Sequence, residues 1–303
     1  MKTVIPAALA GERVDRAVAL LTGLARSEVA AMVEAGNVKL AGRPVKTRSR
    51  KVAEGDELEV QVPDPRTVSI APDPSVAVPV VFADDDVIVA DKPASLVVHP
   101  GAGHETGTLV HGLLATYPEL AAVGDPARPG IVHRLDKGTS GLLVVARSPA
   151  AYQSLVDQLG DRSATREYIT VVWDHVAADA GLVDAPLARS ERDATRIAVS
   201  NQGREARTRY TVVARFDEPA PATQLTCRLE TGRTHQIRVH LQAIGHPVVG
   251  DDRYGGHRPA VVAIDRPFLH AARLAFRHPT TGEAMAFESP LPADLVAVLA
   301  RFR

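Results

Sequence analysis

Apolar residues recur at helical spacing near the start of the chain. Four of them fall on one face of the segment ERVDRAVALL, which begins at residue 12: Val14, Ala17, Val18 and Leu21. A second helix is expected to end at Gly36, because glycine supplies a left-handed C-terminal stop. Short apolar strands follow at 38–40 and 56–62. The pattern predicts a small α/β domain over residues 1–62.

A proline-rich stretch follows this first domain. Residues 63–79 contain five prolines and show little periodicity. Such a composition is typical of a semi-rigid linker. We therefore predict a linker over 63–79 and a second domain over 80–303.

The sequence pattern of the second domain predicts mainly strands. A hairpin with its turn at 84–86 comes first, a helix fits 106–118, and a buried strand fits 142–147. Ser148 and Pro149 form a cap and a first-turn proline for a helix that runs to about residue 159. Strands then fit 166–173, 196–201, 206–216 and 223–230, a helix fits 234–246, and a last hairpin lies within 269–288. We expect an α+β fold with a mixed, mainly antiparallel sheet.

Composition is that of an ordinary globular protein. A chain of 303 residues suits roughly two domains. Cys227 is the one cysteine, which suits a reducing cytoplasm, and no apolar run of about 18 residues could span a membrane. Charges within the first dozen residues argue against a signal peptide. We expect a cytoplasmic monomer without membrane contact.

The distribution of charge is more informative than its sum. The net charge of −1 argues weakly against a nucleic-acid partner, but phosphate is neutralised locally. Between residues 39 and 51 six of thirteen residues are basic and none is acidic: Lys39, Arg43, Lys46, Arg48, Arg50 and Lys51. Such a run is usually a solvated face, and it is also a possible RNA contact. The eleven histidines are scattered, so a metal site is not expected.

The segment GIVHRLDKGTSGLL, residues 130–143, combines an acid with two cations just before the buried strand. Asp-Lys-Gly is good turn chemistry, because aspartate bonds its own backbone and glycine accepts a positive φ. On these residues alone, a turn and a catalytic loop are equally good interpretations.

The first domain resembles the S-four-type RNA-binding domain. The resemblance rests on Arg13, Asp15, the segment ARSEVAAMVEAGNV and the strand GDELEV. The chain has Ala41-Gly42 where that family often has Asn-Gly. The resemblance implies that the six basic residues of the 39–51 run bind RNA.

Five segments of the second domain, taken in order, resemble the RluA-type pseudouridine synthases, in their RluD-like branch. They are DKPASLVVHPG (91–101), HRLD (133–136), REY (166–168), TGRTHQIRVH (231–240) and GHPVVGDDRYGG (245–256). The resemblance covers residues 80–303. It implies isomerisation of uridine in RNA, with no cofactor because no redox change or group donor is involved.

The resemblance assigns the central carboxylate to Asp136, which would attack the sugar, attack the base, or remove a sugar proton. Each of these roles needs an ionised acid, and burial favours the neutral form unless a cation is near. The family pattern makes Arg238 that cation, because its planar fork can grip a carboxylate. Tyr168 would stack on the uracil and serve the proton step at carbon 5; on spacing alone it is a packed strand tyrosine.

Three further residues are expected to contact RNA. Arg134 would fill the space left by a flipped base or hold its phosphate; otherwise it is a loop arginine paired with a surface acid. Arg233 and His235 lie at a predicted helix start, where side chains and backbone N–H groups meet phosphate.

Other functions stay open at this point. A carboxylate hydrolase would release free uracil, but glycosidases generally need two carboxyl groups and only Asp136 lies in a strong motif. A non-catalytic RNA-binding or ribosome-assembly protein could use the same fold. The substrate is expected to be large-subunit (23S) ribosomal RNA, because an extra RNA-binding domain suits a large folded target, with transfer RNA as the alternative.

Overall fold

The computed structural model describes residues 1–24, 26–62, 70–101, 103–193 and 195–303, and for residues 26–28 it describes the backbone alone. Over these ranges the chain divides into two compact units, Met1–Thr67 and Val68–Arg303. The division falls inside the predicted linker. Within the described ranges no helix is both long and apolar enough to cross a bilayer.

The first unit combines two helices with a small antiparallel sheet. Helices α1 (Val14–Thr22) and α2 (Arg26–Glu34) occur where the spacing predicts them, and Gly36 follows α2 with φ 75°. The sheet contains β1 (Lys2–Val4), β2 (Val38–Leu40), β3 (Arg43–Pro44) and β4 (Glu57–Val60), in the order β1-β4-β2-β3. The strand β2 occurs where the sequence predicts it, whereas the short strands β1 and β3 were not predicted.

The second unit is built on one long sheet. Its strands are β5 (Val80–Ala83), β6 (Val87–Lys92), β7 (Ser140–Ala146), β8 (Thr165–Trp173), β9 (Ala180–Asp184), β12 (Arg207–Phe216), β13 (Ala222–Leu229), β14 (Leu269–Arg277) and β15 (Ala284–Glu288). Their order is β5-β6-β7-β14-β8-β13-β12-β9, with β15 paired to β14. A separate ribbon pairs β10 (Leu187–Arg189) with β11 (Ile197–Val199). Among the described strand pairs of the long sheet only β7 and β14 run parallel, so the expected mixed, mainly antiparallel α+β fold is confirmed.

Helices cover the sheet at a few places. They are α3 (Leu109–Thr116), α4 (Pro149–Gly160), α5 (Gln236–Ala243) and α6 (Ala293–Leu299). The predicted cap of α4 is present, because the Ala151 N–H donates to Ser148 Oγ over 3.1 Å. A core of buried residues joins the sheet to α3 and α6, with Trp173 and Phe268 among its largest members.

The structure corrects part of the predicted linker. Residues 63–69 lie outside the described residues. Residues 70–79 pack on α3: the Asp73 N–H donates to the His111 carbonyl over 2.9 Å. Val76 approaches so closely that a Cβ on Gly112 would lie 2.3 Å from its carbonyl oxygen. The prolines correctly indicate that this stretch lacks regular structure, but residues 70–79 are packed and do not form a spacer.

Strand β7 begins against β14 at a distance that only glycine allows. Gly141 has φ 108°, and a Cβ there would lie 2.2 Å from the carbonyl oxygen of Ala271. The parallel register pairs these two residues. The contact holds the loop before β7, residues 133–139, beside β14 and its neighbour β8.

Candidate active site

Asp136 lies in the loop that precedes β7, and backbone contacts hold this loop on both sides. The Gly138 N–H donates to the Ala94 carbonyl over 2.9 Å. Arg266 Nη1 donates to the Gly138 carbonyl over 3.0 Å. The Thr139 N–H donates to the Asp136 carbonyl over 3.1 Å, which closes a turn. The segment is therefore a turn, and the turn leaves the Asp136 carboxylate facing open space with 14% of its side chain exposed.

Two cavities meet at this carboxylate. The large cavity, of about 1230 Å³, has walls from 94–101, 134–138, 263–267 and α6. The side cavity, of about 410 Å³, has walls from Tyr168 on β8 and from 229–234. His99, Arg134 and Asp136 line both cavities.

Arg238 lies next to Asp136, but its fork grips another acid. Arg238 Nη1 is 3.6 Å from Asp136 Oδ2. Its Nε and Nη2 donate to the two carboxylate oxygens of Asp251, over 2.6 and 2.8 Å. The side chains of Arg238 and Asp251 are 6% and 0% exposed. The expectation that the guanidinium grips Asp136 bidentately is therefore wrong: Asp251 takes that geometry and leaves one edge of Arg238 for Asp136.

Asp251 is a residue that the sequence did not single out, although it lies in the segment GHPVVGDDRYGG. Its Oδ1 also accepts the Arg253 and Tyr254 N–H groups, each over 3.1 Å. Burial lowers the pKa of Arg238, but hydrogen bonding and charge from Asp251, and then the charge of Asp136, raise it above the ordinary value. The sequence provides only a partial signal: Asp251 lies in a segment that carries the family resemblance, but nothing local shows which acid a buried arginine will pair with.

Lys92 is a second residue that was missed. It ends β6 fully buried, and its Nζ donates to the carbonyls of Pro93 and Leu96 over 2.9 and 2.8 Å. Burial lowers its pKa to about 7, against a raising effect from the charge of Asp136. Lys92 thus fixes the loop 93–96 that faces Asp136 across the large cavity.

Tyr168 faces the side cavity from β8. It is buried, and desolvation raises its pKa to about 12, with Arg166 lowering and Asp136 raising it. The phenol is therefore neutral near neutral pH, so any proton step at this residue starts from the O–H form. Arg166, two residues earlier, lies on the same face of the strand and is also buried.

His133 supports the loop from behind. The Val144 N–H donates to its Nε2 over 3.1 Å, and its Nδ1 is buried without a hydrogen-bond partner among the described residues. Desolvation, and then the charge of Arg166, lower its pKa to about 3. The ring is neutral at ordinary pH and accepts a hydrogen bond from Val144, in the second half of β7.

Arg134 projects from the loop and is exposed. Its Nη1 donates over 3.2 Å to His99 Nε2, and His99 Nδ1 donates to the Pro100 carbonyl over 2.9 Å. Lys137 Nζ makes a similar 3.2 Å contact with His104 Nε2. Within the described ranges the partner of Arg134 is a neutral histidine and no surface acid pairs with it, so its charge stays available.

Arg233 and His235 lie where α5 begins, one on each cavity. Arg233 lines the side cavity and its Nε donates to the Glu205 carbonyl over 3.0 Å. His235 lines the large cavity, caps α5 with φ 56°, and shares a 2.8 Å hydrogen bond with the Tyr254 hydroxyl. Both positions suit phosphate contacts, and RNA binding by them remains a prediction.

The basic run belongs to the first unit. Five of its six side chains are exposed and Lys39 is half-buried. Arg13 and Asp15 form a bidentate ion pair beneath it, with N–O distances of 3.0 and 3.1 Å. The Asp15 N–H and the Val14 N–H donate to the carbonyls of Arg48 and Arg50. The run is thus anchored by its backbone and leaves its charges in solvent.

Comparison with known proteins identifies one family. A model of the RNA pseudouridylate synthase family matches residues 86–243. The chain is 41% identical over 293 residues to an uncharacterized RNA pseudouridine synthase of Bacillus subtilis, covering 96% of this chain and 94% of that protein. It is 42% identical to ribosomal large subunit pseudouridine synthase D of Nitrosomonas europaea, covering 99% and 87%. Human RNA pseudouridylate synthase domain containing 1 is a structural neighbour with TM-score 0.59 and 26% identity, covering 76% of this chain and 90% of that one.

Proposed function

We propose, from the premise that this chain belongs to the RNA pseudouridylate synthase family, that Asp136 performs the central step of its reaction and that large-subunit ribosomal RNA is its substrate. As a member of that family the protein is an RNA pseudouridine synthase, which converts uridine in RNA to pseudouridine. The observation that carries the assignment of Asp136 is its position. Its carboxylate lies where two cavities meet, 3.6 Å from a buried guanidinium.

The reaction needs a persistent negative charge at this position. The bond from ribose C1′ to uracil N1 breaks and a bond from C1′ to C5 forms, while C5 loses a proton and N1 gains one. An ionised Asp136 can attack C1′, attack the base, or remove a sugar proton. In each case Arg238 favours the charged carboxylate in a partly desolvated site. Asp251 keeps Arg238 in place without competing for the edge that faces Asp136.

The uridine must leave its stack to reach Asp136, because a stacked base hides its glycosidic bond. Tyr168 offers a buried ring on the wall of the side cavity for the uracil to stack on. Arg134, with its exposed charge beside Asp136, would hold the flipped nucleotide or fill its place in the RNA. Arg233 and His235 would contact the backbone on either side.

The substrate class is supported by the relatives and by the first unit. The Nitrosomonas relative is named for the ribosomal large subunit, and the chain covers most of its length. The first unit, which we propose to be an S-four-type RNA-binding domain over 1–62, presents a basic run to solvent. Local basic clusters supply affinity for phosphate irrespective of net charge. Such an RNA would place the enzyme in the cytoplasm.

The test is to incubate the full chain with large-subunit ribosomal RNA and with a transfer-RNA pool, and to map pseudouridine in both. We expect pseudouridine at a few positions of the ribosomal RNA. The Asp136→Asn variant should make none while its RNA affinity stays within about threefold, because the change is nearly isosteric and removes the charge. Asp85→Asn, in the exposed turn of the β5–β6 hairpin, is the matched control and should retain activity.

Each result separates the claims. Modification of transfer RNA alone would overturn the substrate proposal. Substantial turnover by Asp136→Asn would remove Asp136 from its role. Release of free uracil would indicate hydrolysis in place of isomerisation.

A further inference from the structure

Arg166 is a buried cation that has no partner in the described part of the chain. It is 6% exposed on β8. Its guanidinium makes no hydrogen bond or ion pair with the residues that the structure describes, and its Nε is buried and unsatisfied. Nothing in the chemistry outlined above uses it. Burying an unpaired charge is unfavourable unless something compensates it.

The acids near Arg166 are engaged by other arginines. Glu230 is within 3.4 Å of both Arg162 and Arg207 and also pairs with Arg209. Glu205 pairs with Arg162 over 2.7 Å. The third acid on the wall of the side cavity is Asp136, which faces Arg238. The three carboxylates on this wall are therefore engaged by other arginines, and none of them is bonded to Arg166.

The guanidinium lies at the wall of the side cavity. A Cβ added to Gly232 would lie 2.8 Å from Arg166 Nη1, so the head group rests against the backbone of the loop before α5. Gly232, Arg233, Arg134 and Tyr168 line the same cavity. The strand alternates its faces, so Arg166 and Tyr168 stand side by side, about 7 Å apart along β8.

We propose that Arg166 binds one RNA backbone phosphate in the side cavity. This phosphate belongs to the flipped uridine or to the nucleotide next to it. The proposal rests on the proposed function, because it takes the uracil to lie at Tyr168. Guanidinium suits the ligand, since its donors match phosphate oxygens in a bidentate arrangement. The bound phosphate would compensate the charge that the folded chain leaves unpaired, so the site gains most when RNA occupies it.

A phosphate site and a structural role predict opposite effects of Arg166→Met. If the arginine serves RNA, removing an uncompensated buried charge should leave the melting temperature of the free protein unchanged or higher. RNA affinity should fall roughly 10- to 100-fold, the range for a charge-assisted hydrogen bond. The slope of log affinity against log salt should become shallower by about 0.7 to 0.9. Arg166→Lys, which keeps charge without the fork, should lose less affinity and keep the slope.

Two further variants serve as an independent test and as a control. Gly232→Ala keeps the arginine at position 166 but adds a methyl group that pushes its guanidinium aside. This variant should therefore weaken RNA binding even if Arg166→Met fails to fold. Arg228→Met is the matched control, because Arg228 is exposed on the adjacent strand β13, opposite Glu167, and so points to the other face of the sheet. Its affinity and salt slope should equal those of the parent protein.

The measurements use the full chain, a uridine-containing stem-loop RNA, and inorganic phosphate as a separate probe. Arg166-dependent stabilisation by millimolar phosphate without any effect on RNA affinity would mean a small-anion site and overturn the proposal. Equal RNA affinity and salt slope in Arg166→Met and the parent, or a large loss of melting temperature with unchanged affinity, would do the same. Pseudouridine formation by the parent is scored independently. Its absence would contradict the proposed function, whereas an Arg166-dependent salt slope would still identify the phosphate site.

Discussion

At the scale of single residues, the division of Arg238 between two acids is the main finding. Two of its nitrogens, Nε and Nη2, donate to Asp251, and the third, Nη1, faces Asp136. The guanidinium is therefore oriented before any RNA arrives, and little reorganisation is needed when charge develops in the reaction. A bidentate pair between Arg238 and Asp136 would instead have withdrawn the carboxylate oxygens from the substrate.

This division makes Asp251 a positioning residue. Asp251→Asn should lower the free energy of unfolding by about 3 kcal/mol, because it leaves one charge of a buried pair without its partner. Single-turnover pseudouridine formation should fall at least tenfold, since Arg238 can then turn toward Asp136. The checks are denaturant unfolding and single-turnover rates. Asp252→Asn changes the exposed neighbour of Asp251 and serves as the control; equal stability of the two variants would contradict the assignment.

His133 should make the fold sensitive to acid. Its pKa in the folded protein is lowered to about 3 from the ordinary 6.5. Between these two pH values the unfolded chain is protonated at His133 and the folded chain is not. The contribution of His133 to the free energy of unfolding is complete above pH 6.5. It is lost as the pH falls toward 3, by at most about 1.4 kcal/mol per pH unit. His133→Gln keeps an acceptor for the Val144 N–H and should flatten this loss.

Urea unfolding at pH 7, 6, 5 and 4 measures the effect. His257→Gln, at an exposed histidine, should follow the parent curve. If His133→Gln also follows it, His133 does not carry the acid sensitivity.

At the scale of elements, the contact between β7 and β14 determines where Asp136 lies. These strands are joined in parallel by the register Ser140–His270 and Gly141–Ala271. A side chain at residue 141 would meet backbone and not a flexible neighbour, so no local adjustment relieves it. The strand pair must separate, and the 133–139 loop must move with it.

Gly141→Ala should therefore destabilise the protein by several kcal/mol, from overpacking and from alanine at φ 108° together. Gly160→Ala, at the end of α4, meets nothing within 4 Å and should be neutral or slightly stabilising. Thermal unfolding of both variants compares them directly. A Gly141→Ala protein as stable as the Gly160→Ala protein would show that β7 and β14 can separate without cost.

At the scale of the whole molecule, the two units predict separable contributions to RNA binding. A chain of residues 68–303 should still modify short RNA substrates, because the cavities and the residues around Asp136 lie within that unit. Its affinity for large-subunit ribosomal RNA should be weaker and less salt-dependent, since the six basic side chains of the run are gone. Binding isotherms at several salt concentrations give both quantities. Identical affinities and slopes for the full and the shortened chain would mean that the first unit does not bind this RNA.

Sequence by itself determined most helices and strands and the kinds of side chain present at the site. Apolar spacing predicted α1, the β5–β6 hairpin and the buried strand β7, and Ser148 with Pro149 predicted the start of α4, because these features depend on residues close together in the chain. Resemblance brought Asp136, Tyr168 and Arg238 together as the central residues, and the structure places all three around the two cavities. The proline-rich stretch was misjudged, since composition cannot tell a spacer from a segment that packs on a helix.

Tertiary structure alone decided the partners of the charges. Arg238 and Asp251 are separated by a helix end and a loop, and whether the fork of Arg238 turns to Asp251 or to Asp136 depends on packing that no local pattern encodes. Lys92 looks like a surface lysine at a strand end until the loop 93–96 folds over it. Arg166 looks like an ordinary strand arginine until every acid on the wall of its cavity is found with another partner. Such compensation is a property of the folded assembly of segments, because the energy of a buried charge depends on everything within a few ångströms, whatever its distance along the chain.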